Sequence, residues 1–306
     1  MNHNYEINAT LTGISLAYKN PSYIADKIFK RVPVTSETFK YRKYAAGTGL
    51  TIPKTLIGET GEPNKVTVKG RLQTEAVEAH SLIDDIPQAE IKAAQKAGED
   101  ITRTRTMFLT ETMSAAREAR LATLLSTTSN YGKNTKTLSK DEKISNSDMD
   151  ALELIEDTRS SMPVKPNTMI LNESVCSKLR RNASIIKGVY KNSGDKGIIS
   201  VEDLKELFRL DNIYIGESRV NVAKKNEDAN LQLTWGDDII LCYINPLATV
   251  TEGLTFGITA EYEKRTISTF FNPRPGVEGV TSVKIAEQLK DLILAPECGY
   301  LIKEAI

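Results

Sequence analysis

The sequence predicts an α+β protein, on three observations. A helical repeat of about 40 residues follows Pro87, a compact run of alternating helix and strand signals lies beyond it, and the last 60 residues read as almost wholly extended. Segregated helical and extended stretches of this kind argue against a regular βαβ alternation.

Taken in order, residues 1–35 read as an arm. It is polar at first, and Ile24, Ile28 and Phe29 then share one short amphipathic turn that Pro33 stops. The opening "MNHNYEINAT" has neither a basic start nor an apolar core, and no later segment reaches the ~20 apolar residues of a membrane span, so a cytoplasmic origin is expected. Thr38 to Ala45 is extended and aromatic, and the chain is extended again from Lys65, with Val66, Val68 and Leu72 roughly alternating. These stretches are the stems expected of a long hairpin. Between them "GTGLTIPKTLIGETGEP" packs four glycines and two prolines into seventeen residues. Loops so long are uncommon in compact domains and are usually functional or disordered.

After Pro87, Ile91, Ala94, Gly98, Ile101, Phe108, Met113, Leu121 and Leu125 recur near helical spacing, with Asp84 and Asp85 expected where the helix dipole favours anions. The pattern supports equally one helix of ~60 Å and two helices broken near Gly98. Beyond it, Ser147 is expected to cap a helix with Asp150, "NTMIL" to form a strand, Asn172 to start a helix through Leu179, and "KGVYKNSGDKG" to be an exposed loop. Ser200 and Asp203 open a further helix, and "NIYIG" is a strand. "LQLT" and "IILCYI" read as a hairpin turning at Trp235 to Asp238. Extended segments with a turn at "NPRPG" complete the chain.

Composition is globular, with 40% hydrophobic and 26% charged residues, and the 40 basic and 40 acidic side chains balance. Formal neutrality argues against a protein that wraps nucleic acid through its net field. Cys176, Cys242 and Cys298 are scattered and odd in number, which suggests buried thiols rather than a zinc site or disulfides. With only His3 and His80, a histidine-based metal or triad site has little to build on, and no phosphate-binding glycine motif occurs. His80 is expected as an ordinary polar residue of a strand. The sequons at Asn8, Asn172 and Asn182 are chance matches. No cofactor, metal or catalytic residue is assigned.

One charge pattern stands out. Seven basic residues lie between Lys40 and Arg71 against two acidic ones, whereas Glu75, Glu78, Asp84, Asp85 and Glu90 form an acidic run without bases. Two solvated faces explain it, as does contact with nucleic acid; a third explanation is that the basic excursion of one subunit docks on the acidic helix entry of its neighbour.

This order of parts resembles the major capsid protein of tailed bacteriophages. The resemblance is carried by "NPSYIADKIFKRVPV", "AHSLIDDIPQAEI", "NTMILNESVCSKLRRNASIIKG", "ISVEDLKELFRLDNIYIGESRVN" and "GYLIKEAI", none of them a catalytic signature. It implies an arm (1–35), an extended-loop hairpin (36–85), a spine helix with the first part of a peripheral domain (86–145), an axial domain (146–245) and C-terminal strands returning through both domains (246–306). It further implies pentamers and hexamers of an icosahedral head enclosing double-stranded DNA, assembled in the bacterial cytoplasm. A separate scaffolding protein, a portal, weak contacts with packaged DNA and a possible decoration protein are the implied partners, and no membrane is involved. Lysine-to-asparagine cross-links of some relatives are not expected here.

On that reading the long excursion is explained by a partner on another chain. Leu50, Ile52, Leu56 and Ile57 supply its apolar contacts, Lys54 and Arg71 meet acids such as Asp84, Asp85 and Glu90, and Gly47, Gly49, Gly58, Gly61 and Gly98 act as hinges. An encapsulin-like compartment enclosing enzymes is the nearest alternative. An oligomeric α/β enzyme would need a convergent set of acid, base or nucleophile, and the sequence offers none.

Overall fold

The computed structural model describes residues 5–44, 52, 55–58, 61–65, 70–146, 148–190, 197–223 and 227–306. The arm comprises strand β1 (Glu6–Ile7), helix α1 (Ala9–Ala17), the single turn α2 (Ala25–Ile28) and strand β2 (Arg31–Pro33). Ile24, Ile28 and Phe29 are all buried around that turn. β3 (Thr38–Tyr44) and β4 (Gly70–Ala76) then form a separate two-stranded antiparallel ribbon, followed by β5 (Glu78–Pro87).

The helical repeat resolves into α3 (Gln88–Lys96) and α4 (Ile101–Leu125), which excludes a continuous 40-residue helix. Gly98 breaks it with a φ of 78°, a left-handed conformation that costs glycine nothing, and Asp100 caps the second helix by accepting from the Arg103 amide. Asp84 and Asp85 do not sit at the helix entry as expected. They belong to β5, because its pairing with a C-terminal strand continues up to Pro87, and Glu90 is the acid of the first turn.

A five-stranded sheet organises the next part of the chain. In sequence its region contains β6 (Thr135–Thr137), α5 (Ala151–Ser161), β7 (Thr168–Asn172), α6 (Glu173–Leu179), α7 (Ala183–Val189), α8 (Val201–Leu207), β8 (Asn212–Gly216), β9 (Arg219–Asn221), β10 (Leu231–Leu233) and β11 (Ile239–Cys242). Asp150, not Ser147, caps α5, accepting from the Glu153 amide; Ser147 itself lies outside the described residues. Lys187 to Val189, expected in a loop, finish α7. Asn172 caps α6, and Ser200 with Asp203 forms a reciprocal capping box on α8.

The expected hairpin between "LQLT" and "IILCYI" is absent. β10 pairs with β9, and β11 runs through the middle of the sheet between β7 and the last strand, β15 (Gly299–Lys303). Four consecutive buried residues in β11 and five in β7 explain the difference, since these strands are covered on both faces. Met169, Leu171, Ile239 and Leu241 point into a core with α5 to α8, while Ile170, Ile240 and Cys242 point into a second core with Phe29, Leu121, Leu125 and Trp235.

The C-terminal segment adds β12 (Gly257–Glu261), β13 (Thr266–Asn272), β14 (Val280–Ile293) and β15 (Gly299–Lys303). β12 and β13 pair end to end with β14, and β5 also pairs with it over ten residues, Glu78 to Pro87. β1 and β2 complete a six-stranded sheet at its two ends. The expected turn at "NPRPG" joins β13 to β14. α4 bridges the two sheets: Leu109 and Met113 pack on the six-stranded one with Leu11 of α1, while Leu121, Ala122 and Leu125 pack on the five-stranded one. At 1.5 Å per residue its 25 residues span ~37 Å.

Candidate subunit interface

β3 of the ribbon is anchored to the body along its length. Phe39 and Tyr41 are buried in a cluster with Val32, Ile258, Leu292 and Leu294, and the Arg42 and Tyr44 amides donate to the Val250 and Leu294 carbonyls. Such ribbons are marginal alone, so these contacts are what hold it to the body. Of the expected contact residues, Ile52 and Leu56 are 92% and 93% exposed, and Ile57 is 43% exposed. Gly58 and Gly61 close a turn through a 2.9 Å bond between the Gly61 amide and the Gly58 carbonyl. Leu50, Lys54, Gly47 and Gly49 lie outside the described residues.

Arg71 is exposed on β4, directly opposite Lys43. The acids expected to receive it are already engaged within the chain: Arg105 lies 2.9 Å from Glu90 and 3.7 Å from Asp84, and Asp85 accepts from Ser282. Arg71 is not brought to any of them. His80 sits in β5 opposite Glu287, as an ordinary strand residue, and burial together with nearby Arg120 lowers its pKa.

Sequence reasoning missed how the arm is held. Glu111 and Glu118, seven residues apart and thus on nearly the same face of α4, both accept bonds from it. The Tyr18 and Tyr23 hydroxyls donate to Glu111 at 2.6 Å each, and the Asn20 amide at 2.8 Å. Burial raises the Glu111 pKa, but these bonds outweigh it and the net shift is downward. Glu118, fully buried, accepts from the Ile24 and Ala25 amides and, at 2.7 Å, from the Trp235 indole. Burial dominates here and its pKa is raised.

A network of alternating charge continues across the sheet. Arg117, itself 1% exposed, meets Asp26 and donates to Thr259, and Arg31 lies 2.7 Å from both Asp26 and Glu261. Glu287 receives Arg265 at 3.0 Å and Arg31 at 3.4 Å. Burial works against the Asp26 carboxylate, yet Arg117 and Arg31 hold its pKa low. Arg117, Arg265 and Glu287 are buried and so tolerable only when paired, while Asp26 meets Arg117 from the more exposed side of the arm. Among the described residues no group of three or more metal-ligating side chains is assembled, and no helix is long and apolar enough to cross a membrane.

No family model matches the chain. The major capsid protein of Pseudomonas phage JBD67 is 33% identical over 307 aligned residues, covering 99% of this chain and 98% of that one. The chain belongs to the phage major capsid proteins. Among solved structures, a phage-related protein of Bordetella bronchiseptica RB50 superposes with a TM-score of 0.75 at 19% identity, over 98% of each chain. The capsid of cyanophage P-SCSP1u matches with a TM-score of 0.56 at 8% identity, over 94% of this chain and 89% of that one. The fold is therefore the capsid fold, and a capsid protein's role is structural rather than enzymatic. In this chain Ile52 and Leu56 stand exposed beyond the ribbon.

Proposed function

We propose that this major capsid protein assembles into pentamers and hexamers that close an icosahedral head around double-stranded DNA in the bacterial cytoplasm. The observation that carries the reading is the ribbon and the segment beyond it. Apolar residues more than nine-tenths exposed sit past an anchored root, in a chain that aligns along its whole length with a major capsid protein.

In this reading residues 36–85 form the extended loop lying across an adjacent subunit, with Ile52, Leu56 and Ile57 as its apolar contacts. Residues 146–245 gather around five-fold and six-fold axes, 86–145 supply the spine and part of the peripheral domain, and 246–306 return through both. The arm, 1–35, is the latch on the spine. Many modest contacts per subunit, each repeated around the shell, give the assembly its avidity. A scaffolding protein, a portal and a decoration protein are its further partners, and the packaged DNA is met through weak, sequence-independent contacts.

The test is expression of the chain alone and together with a scaffolding protein encoded near it, read by light scattering and negative-stain electron microscopy. Closed shells, or rings of five and six, are expected. Nuclease-protected double-stranded DNA in heads made during infection separates a viral head from a cargo compartment. A compact monomer or dimer under every condition overturns the reading.

A further inference from the structure

The register of the ribbon places Lys43 directly opposite Arg71, on the same face and next to its last pair, Tyr44 with Gly70. Both side chains are exposed, and neither makes an ion pair among the described residues. Like charges directly opposite one another destabilise a strand pair. The acid on the same face of the ribbon, Glu75, lies opposite Phe39, four residues from Arg71 and so ~13 Å along the strand. Elsewhere the chain pairs its strand and helix bases closely, as with Lys136 and Glu142 or Arg105 and Glu90, both at 2.9 Å. Two cations thus lie side by side at the Tyr44–Gly70 end of the ribbon with no acid paired to them among the described residues.

We propose that Lys43 and Arg71 together form a cationic clasp that receives carboxylates of a second copy of this chain. The proposal deepens the shell reading above and rests on it. Two observations favour a second copy over a phosphate backbone. The residues just beyond the clasp include Ile52 and Leu56, exposed at 92% and 93%, which a protein surface can bury and a nucleic-acid backbone cannot. The chain also carries as many acidic as basic residues, 40 of each, so every copy brings carboxylates to its neighbour. The clasp adds steering and register to an apolar contact. Within one chain Asp84 and Glu90 lie beside Arg105.

The test uses the full chain and three forms: the natural sequence, Lys43→Gln with Arg71→Gln, and Lys43→Glu with Arg71→Glu. Circular dichroism and a denaturant midpoint establish that each subunit is folded, and light scattering then gives the threshold concentration for assembly across roughly 50 to 500 mM salt. The natural chain is expected to show a threshold that rises with salt. The glutamine form should need about tenfold more protein at low salt and lose most of the salt dependence, and the glutamate form should not assemble. Equal thresholds for the natural and glutamine forms at every salt concentration overturn the clasp while leaving the shell reading intact. Normal shells from the variants that protect less DNA would show that the anion is phosphate, which also overturns it. No assembly of the natural chain under any condition removes the shell reading and the clasp with it.

Discussion

At the scale of single residues, the chain is held by groups whose partners are far away in sequence. Glu118 accepts from amides 94 and 93 positions earlier and from an indole 117 positions later. Glu118→Gln turns one acceptor into a donor facing other donors, and should destabilise the unassembled subunit by ~2 kcal/mol or more. Guanidinium unfolding and faster proteolysis within the arm would show it, and an unchanged midpoint would mean that the arm is not held there. Gly257 is a second such point. A Cβ there would meet the Phe29 ring at 2.1 Å and the Leu292 carbonyl at 2.7 Å, so Gly257→Ala should cost about 1–3 kcal/mol on the same assay. Neither role is legible in the sequence, because a lone Glu in a helix reads as solvated and a Gly opening a strand gives no sign of the ring packed against it. The sequons were legible in part: chance explains the motif, and the structure gives the asparagines another duty. Asn8, Asn172 and Asn182 all cap helices, accepting from amides two or three residues on.

Among elements, strongly periodic or locally signalled pieces were readable and pairings were not. The two ribbon stems, the capping of α6 and α8, and the strand "NIYIG" follow from local chemistry. The partner of β11 does not, since a four-residue buried run gives no sign of which strands flank it. The helix break was readable only as one of two options, because Gly98 is compatible with both and its 78° φ is set by the chain's path. The β5 to α4 layer also carries a pH dependence. His80 sits below its ordinary pKa of 6.5 because it is buried and faces Arg120; Glu287, Glu78 and Asp291 oppose that shift. The folded subunit binds this proton less readily than the unfolded chain. Its stability is therefore complete above pH ~6.5 and declines as the pH falls through that value toward the lower folded pKa. Denaturant midpoints should drop between pH 7.5 and 5.5, and His80→Asn should flatten part of that slope; parallel profiles for the two proteins would exclude the residue as the cause.

For the whole molecule, surface tells more than sequence. The chain exposes 17719 Å², whereas a compact monomer of 33.9 kDa is expected to expose ~12,800 Å². In the proposed shell, neighbouring subunits cover part of that excess. The capsid class was legible because the order of parts is long-range and coarse. The local placement of the expected contact residues was legible only in part: the exposure of Ile52 and Leu56 follows from their polar, glycine-rich surroundings, whereas the pairing of Asp84 and Glu90 with Arg105 depends on how β5, α3 and α4 pack. Ile52→Asp with Leu56→Asp should therefore leave the subunit's own stability within ~0.5 kcal/mol and sharply lower the yield of shells. A fall in the denaturant midpoint equal to that of a core substitution would show that these side chains are buried in the free subunit.

The positions of β14 and β15 also bear on how the protein is made. β14 joins β12, β13 and β5, and β15 lies between β6 and β11, so both sheets are closed by the final 30 residues. At roughly 5–20 residues per second, the ribosome exposes the arm, ribbon and long helix well before either sheet can complete. A nascent or prematurely terminated chain has no finished body on which to present the ribbon. A chain that stops before β14 lacks the strand that joins β5, β12 and β13, and so cannot complete the sheet on which the ribbon is mounted.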